Sequence, residues 1–435
     1  MQSKRRDFLK LAALTGIGLT GSGLLGFPGA RNDQKNSIIT PINPDTALKN
    51  NGTTENELSI IGLYGAWASS LTSDQLPALS FRRKEWQNVD SWKKLARKRL
   101  TERLSIPGIG GKPVIQVQKQ YSYDGLHVEE LTWQLPYGRP TEAILLKPLE
   151  SKGRLPGIIA LHDHGGNKYF GCRKITKTSA NQHALMKEHQ QSYYENFAWA
   201  NQMAKRGYVV LVPDAFTFAS RRVQFQDVPL HLRKGNNDDD PENEKNIESY
   251  NSWASDHEHV MAKSLFCAGT TWPSVFFAED KKALDILCSR DDVDAGRVGC
   301  GGLSGGGLRT VFLAGMDTRI KCAVDVGFMT TWKDLILNKS FTHTWMTYVP
   351  LLPNELDFPE ILGLRVPLPT LVLNDIEDNL FTLSEMKKAE QMLKEVYSKA
   401  GAADKFSCSY HPGPHKFDAK MQEEAFNWFD KWLKA

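Results

Sequence analysis

The chain has 435 residues, of which 41% are hydrophobic, 24% charged and 10% aromatic. That is globular usage with apolar material for a sizeable core, and it excludes a wholly disordered, collagenous or coiled-coil chain. The formal net charge is +4, and Lys4, Arg5, Arg6 and Lys10 against Asp7 place +3 of it in residues 1–30; the near-neutral remainder offers no electrostatic footprint for nucleic acid.

Residues 1–30 have the anatomy of an export signal. A charged start precedes an apolar, glycine-rich run from Leu11 to about Phe27, then small residues at Gly29 and Ala30. Arg5-Arg6 ahead of Phe8-Leu9-Lys10 resembles the twin-arginine signal of bacteria. The run is short for a bilayer-spanning helix of ~20 apolar residues. The expectation is a twin-arginine export partner, a periplasmic or secreted product, and no stable membrane span after cleavage. Residues 31–56 are polar without a period and are expected to be a flexible lead-in. Residues 57–110 are expected to be a helical preface. In Asp90–Leu104, Trp92, Leu95, Leu100 and Leu104 share one face and Asp90 is the expected N-cap.

The main domain is expected over 111–435. Segments 113–121, 126–135 and 140–148 are short, β-branched or alternating, and separated by turn residues, as antiparallel strands are. Leu155–Leu161 is a continuous apolar run, as expected of a strand buried on both faces. Strand and helix then alternate. Helix is expected at Glu195–Lys205, Ala278–Cys288, Gly305–Ala314, Leu383–Lys399 and Lys416–Leu433. Strands are expected at Gly207–Pro213, Arg297–Leu303, Lys321–Val326, Leu368–Asn374 and up to Cys408–Tyr410. This order predicts an α/β fold with a mostly parallel central sheet flanked by helices. Residues 219–272, with the acidic stretch Lys234–Asn246, break the rhythm and are expected to form a lid-like insertion over the sheet's carboxyl edge. Cys172, Cys267, Cys288, Cys300, Cys322 and Cys408 show no metal-type spacing, and no disulfide is expected.

The strongest chemical signal is Gly302-Leu303-Ser304-Gly305-Gly306, between an apolar strand and a helical pattern. That is the setting of a nucleophile elbow, whose sharp turn needs small residues two before and two after the serine. A serine hydroxyl needs a base, and the base needs an orienting carboxylate. Asp378, four residues past the strand end at Asn374, is the expected acid; Asp375 and Glu377 compete and are expected to be solvated. His415 is the expected base, ahead of His411. Gly305 should donate one N–H to a developing oxyanion, and His164 or Gly165, in His162-Asp163-His164-Gly165-Gly166, the other. The rival arrangement is a metal site from His162, Asp163 and His164 with Asp256-His257-Glu258-His259, but no complete ligand set has characteristic spacing. No metal or other cofactor is expected. Trp253, Trp272, Trp332 and Trp345 lie in or near the insertion and cap regions; such rings stack on sugars, although core packing is their ordinary use.

Taken together, LHDHGG (161–166), GYVVLVPDAF (207–216), residues 292–329, LVLNDIEDNLF (371–381) and GPHKF (413–417) resemble the α/β-hydrolase superfamily, specifically its acetyl xylan esterase and dienelactone hydrolase-like branch. The resemblance spans roughly 110–435. It implies nucleophile Ser304, acid Asp378 and base His415 in an exported serine esterase that deacetylates carbohydrate. Serine in place of the dienelactone hydrolase cysteine, and Asp163 where glycine is common, are departures. A serine peptidase on short peptides and a metal-dependent hydrolase are the alternatives.

Overall fold

A computed structural model of the chain describes residues 58–72, 75–151 and 153–434. The expected export signal and lead-in, residues 1–56, lie outside the described residues.

Nine strands form one sheet: β1 (Ile115–Tyr123), β2 (Leu126–Trp133), β3 (Thr141–Pro148), β4 (Leu155–Ala160), β5 (Val209–Pro213), β6 (Val293–Leu303), β7 (Ile320–Val326), β8 (Thr370–Asp375) and β9 (Phe406–His411). Their spatial order is β1-β2-β3-β5-β4-β6-β7-β8-β9. The first three strands meet their neighbours antiparallel, and every pairing from β5 through β4 to β9 is parallel. Every residue of β5 and of β8 is buried, which explains why β5 and the Leu371–Leu373 centre of β8 are continuously apolar rather than alternating. The architecture is that of an α/β-hydrolase.

Helices cover both faces. Against one face pack α2 (Val89–Leu104) of the preface, α6 (Trp272–Cys288), α7 (Gly305–Met316), α8 (Phe358–Gly363) and α9 (Leu383–Lys399), while the short preface helix α1 (Tyr64–Ser70) lies beside the turn Leu335–Lys339. Against the other lie α3 (Ala184–Tyr194), α4 (Trp199–Lys205) and α10 (Ala419–Leu433). Glycines in β6 allow α10 to approach closely: a Cβ at Gly299 would stand 2.9 Å from the Phe429 ring.

Several local expectations need correction. Helix α2 is capped by Asn88, whose Oδ1 accepts the Ser91 N–H at 2.8 Å, and Asp90 lies inside the first turn. Leu95 is 40% exposed, and Ala96 takes the buried face with Trp92, Leu100 and Leu104. The helix expected at Glu195–Lys205 begins only at Trp199, as α4, because Glu195 and Asn196 adopt positive φ (53° and 68°) and close the preceding helix α3, which the sequence reading did not include. Residues 219–272 hold short 3₁₀ turns and then α5 (Glu244–Cys267), capped by Asn243. All six cysteines are free thiols. Among the described residues no helix is long and apolar enough to cross a membrane.

Candidate active site

Strand β6 ends at Leu303 and α7 begins at Gly305, so Ser304 occupies a one-residue turn between them. Its φ of 57° and ψ of −116° are strained for a side chain. The Ser304 N–H, donating to Val326 O at 2.8 Å, ties the turn to the end of β7. The flanking glycines are sterically required: a Cβ on Gly302 or Gly306 would approach Leu161 O to 2.1 or 2.2 Å. The sequence pattern and the geometry therefore express the same constraint, crowding between the elbow and the end of β4.

Asp378 lies past β8 and His415 past β9, both above the carboxyl edge of the sheet. The His415 Nδ1 bonds Asp378 Oδ2 at 2.6 Å. Asp378 is buried, and its Oδ1 accepts the Leu380 N–H at 2.9 Å. With Nδ1 donating to the carboxylate, Nε2 is the basic lone pair; it is buried and has no partner among the described residues. Ser304 and His415 line one cavity of about 300 Å³. Its apolar wall is Leu303, Leu308, Phe328, Met346 and Leu380. The competitors have other partners or none. His411 bonds Glu424 at 3.0 Å, and Glu377 is exposed. Asp375 is fully buried rather than solvated: it accepts the Lys416 N–H at 3.0 Å, and burial pushes its carboxyl up to about 7.

The loop after β4 comes back over the elbow. A Cβ placed on Gly305 would stand 3.0 Å from His164 N, so these two backbone N–H groups are neighbours. Neither donates to an acceptor among the described residues, as a site for a developing oxyanion requires. Gly165 has φ +49°, and a Cβ there would strike the Asp163 carboxylate and the His189 ring, both at 2.5 Å. Asp163 is an anchor: its carboxylate accepts from His189 Nε2 at 3.1 Å and from the Tyr194 hydroxyl. Lys174 Nζ donates to the carbonyls of Asp163 and His164, at 2.9 and 2.8 Å. Sequence reasoning did not identify Lys174, His189 or Tyr194, because nothing local marks their convergence on this loop.

The histidines of the rival metal arrangement do not converge. His162 Nδ1 donates to Asp163 O at 2.9 Å and its Nε2 accepts the Ala215 N–H at 3.2 Å. His257 stacks on Trp253 with centroids 4.5 Å apart. Among the described residues, the group of potential ligand atoms close enough to share an ion is Asp375, Asp378 and His415, which is the hydrogen-bonded Asp378–His415 pair with its neighbour. Trp272 and Trp332 are buried packing residues, as is most of Trp253, and Trp345 is 40% exposed. None of the four lines the cavity, and neither does any residue of 219–272. The wall expected from that insertion is supplied by residues 342–347.

No family model matches the chain. The chain is 26% identical over 307 residues to the "Putative hydrolase YtaP" of Bacillus subtilis (strain 168), covering 70% of this chain and 88% of that protein. The solved structure of a "putative acetyl xylan esterase" from Bacteroides fragilis NCTC 9343 matches with TM-score 0.60 at 16% identity, over 79% of this chain and 81% of that one. A glucuronoyl esterase from Solibacter usitatus matches with TM-score 0.55 at 14% identity, over 82% and 98% respectively. The fold is therefore an α/β-hydrolase fold, shared with carbohydrate esterases at low sequence identity.

Proposed function

We propose that the chain is an exported serine esterase that removes a short acyl group from carbohydrate. The observation that carries this reading is the conjunction at one cavity of Ser304 on its strained turn, the His415–Asp378 pair and two unengaged N–H groups. Ser304 Oγ attacks the ester carbonyl while His415 Nε2 takes its proton. Asp378 keeps the imidazole in the correct tautomer and stabilises the imidazolium. The N–H groups of Gly305 and His164 receive the oxyanion. Its collapse breaks the C–O bond, and His415 returns the proton to the departing alcohol. Water then attacks the acyl-enzyme by the same route, and the acid is released.

A cavity of about 300 Å³ with an apolar wall is at the small end of ligand pockets and favours a short acyl group such as acetyl. The carbohydrate half of the proposal rests on the esterases that share the fold, which is a weaker warrant than site chemistry. A fluorophosphonate should label the protein covalently at Ser304. Ser304→Ala should abolish labelling and lower kcat by about 10⁴-fold or more while the protein stays folded. Acetate release from acetylated xylan or acetylated sugars, set against cleavage of peptide amides, tests the substrate class. Labelling that persists in Ser304→Ala, or peptide cleavage without deacetylation, would overturn the corresponding part of the proposal.

Export rests on the Lys4–Lys10 sequence and its apolar sequel. Arg5→Lys with Arg6→Lys should move the protein from the periplasmic to the cytoplasmic fraction of a twin-arginine-competent bacterium. An unchanged distribution would remove this part of the reading.

A further inference from the structure

The loop that carries the His164 N–H contains Gly165 and Gly166, both at positive φ (49° and 64°). Such a segment has no rigidity of its own, so something must hold the donor in place. Lys174 ties the His164 carbonyl and Asp163 anchors the residue before it, and the His164 side chain adds a tie on the side of the glycines. Its Nδ1 accepts the Gly166 N–H at 3.1 Å, which puts the ring proton on Nε2. That proton is donated to Glu258 Oε1 at 3.0 Å. The same carboxylate oxygen receives Lys168 Nζ at 2.6 Å. Glu258 therefore clamps both ends of the glycine segment, residues 164 and 168, from outside the loop.

Glu258 is 5% exposed and sits on α5. It does not line the catalytic cavity, whereas His164 does. Lys168 is buried over the Trp272 indole, 5.1 Å from its centroid, with Glu258 as its carboxylate partner. Burial keeps the His164 imidazole below its ordinary pKa and thus neutral. Burial also works against ionising Glu258, yet the hydrogen bond from His164 and the charge of Lys168 hold its carboxyl below the usual range. The clamp is an ionised acceptor between a neutral imidazole and an ammonium.

We propose that Glu258 is a positioning residue that holds the His164 N–H in the oxyanion site, so that the 219–272 insertion braces the catalytic loop rather than covering it. The inference rests on the esterase reading. It assigns Glu258 no contact with substrate, only the orientation of the group that makes one.

The test is steady-state hydrolysis of p-nitrophenyl acetate by the full chain, with the active-site concentration set by fluorophosphonate labelling. Glu258→Ala should lower kcat by roughly 10²-fold, the scale of losing one oxyanion donor, with KM changed by less than about threefold. Glu258→Gln keeps the acceptor without the charge and should recover part of the loss. His164→Ala keeps the backbone N–H but cuts the link. In that background Glu258→Ala should cost less than about threefold more, because two residues acting through one contact are not additive. Should Glu258→Ala fail to fold, Glu258→Asp, with the charge but not the reach, should still lower kcat at constant KM. Wild-type kcat per labelled site in the folded variants, or losses that multiply across the His164 background, overturns the proposal and leaves the esterase reading intact. A wild-type protein that neither labels nor turns over overturns both.

Discussion

Two aspartates three positions apart illustrate how environment assigns roles. Asp378 is buried with a hydrogen bond to each oxygen, from His415 and from Leu380. Asp375 is buried with one, from the Lys416 N–H, and its Oδ1 has none. A carboxylate with so little compensation favours its neutral form, and its pKa rises from 3.8 to about 7. Across about pH 4 to 7 the folded protein holds a proton that the unfolded chain has released, so rising pH removes stability through that window. Asp375→Asn retains an acceptor for Lys416 and does not titrate. Relative to Asp375→Asn, the wild type should lose stability between about pH 4 and pH 7, measured by urea unfolding at each pH. Parallel stability curves for the two proteins would show that Asp375 is not titrating there. The meeting of Ser304, His415 and Asp378 was legible because its signals are local: the glycines flank the serine, and Asp378 follows a strand end. The burial of Asp375 was not, because it depends on where Lys416 returns, 41 residues later.

At the scale of elements, the strands were more legible than the helix ends. A buried parallel strand leaves a continuous apolar run: β4 and β5 carry one along their length, and β7 and β8 carry shorter ones at Cys322–Val324 and Leu371–Leu373. Helix starts depend on caps, and Asn88 precedes Asp90 by two positions with equally good chemistry. Helix α5 went unrecognised although it left a signal: Asn243 as cap, then Ile247, Tyr250, Trp253 and Ala254 buried at helical spacing. The acidic run immediately upstream drew attention to loop character instead. Glu258 and Ala262 continue that same buried face, so the charged residue in an apolar stripe was the clue to a paired internal carboxylate. Its partner His164 lies 94 residues away in sequence, and no spacing rule connects them. Element boundaries and site anchors failed for one physical reason: each is decided by tertiary partners.

At the scale of the molecule, the question is whether the preface is a separate module. Its side chains answer through the core they join. Phe81, Trp92, Ala96, Leu100 and Leu104 belong to the same apolar cluster as the helices beside the elbow, α6 and α7. Trp92 is fully buried, stacks on Phe81 at 4.6 Å between centroids, and donates its indole N–H to Leu79 O at 2.7 Å. Polar contacts run the same way. Lys93 donates to Val366 O at 2.9 Å, and Arg97 to Gly315 O and Leu364 O at 3.0 and 2.9 Å. Arg99 and Arg103 converge on Glu355. The preface thus shares one apolar cluster and direct hydrogen bonds with the main domain. Trp92→Ala should therefore cost about 3–5 kcal/mol, the range for truncating a buried aromatic, and the cost should fall on the whole of residues 57–435. Denaturant unfolding followed by tryptophan fluorescence and by loss of esterase activity should give coincident transitions, in the wild type and in the variant, both shifted together by the substitution. If Trp92→Ala instead produces an early fluorescence transition with activity surviving to the wild-type midpoint, the preface unfolds by itself and is a docked module. The contact of Arg97 with Gly315 O, on the penultimate residue of α7, argues for the coincident outcome, since it joins the preface directly to the helix that follows Ser304.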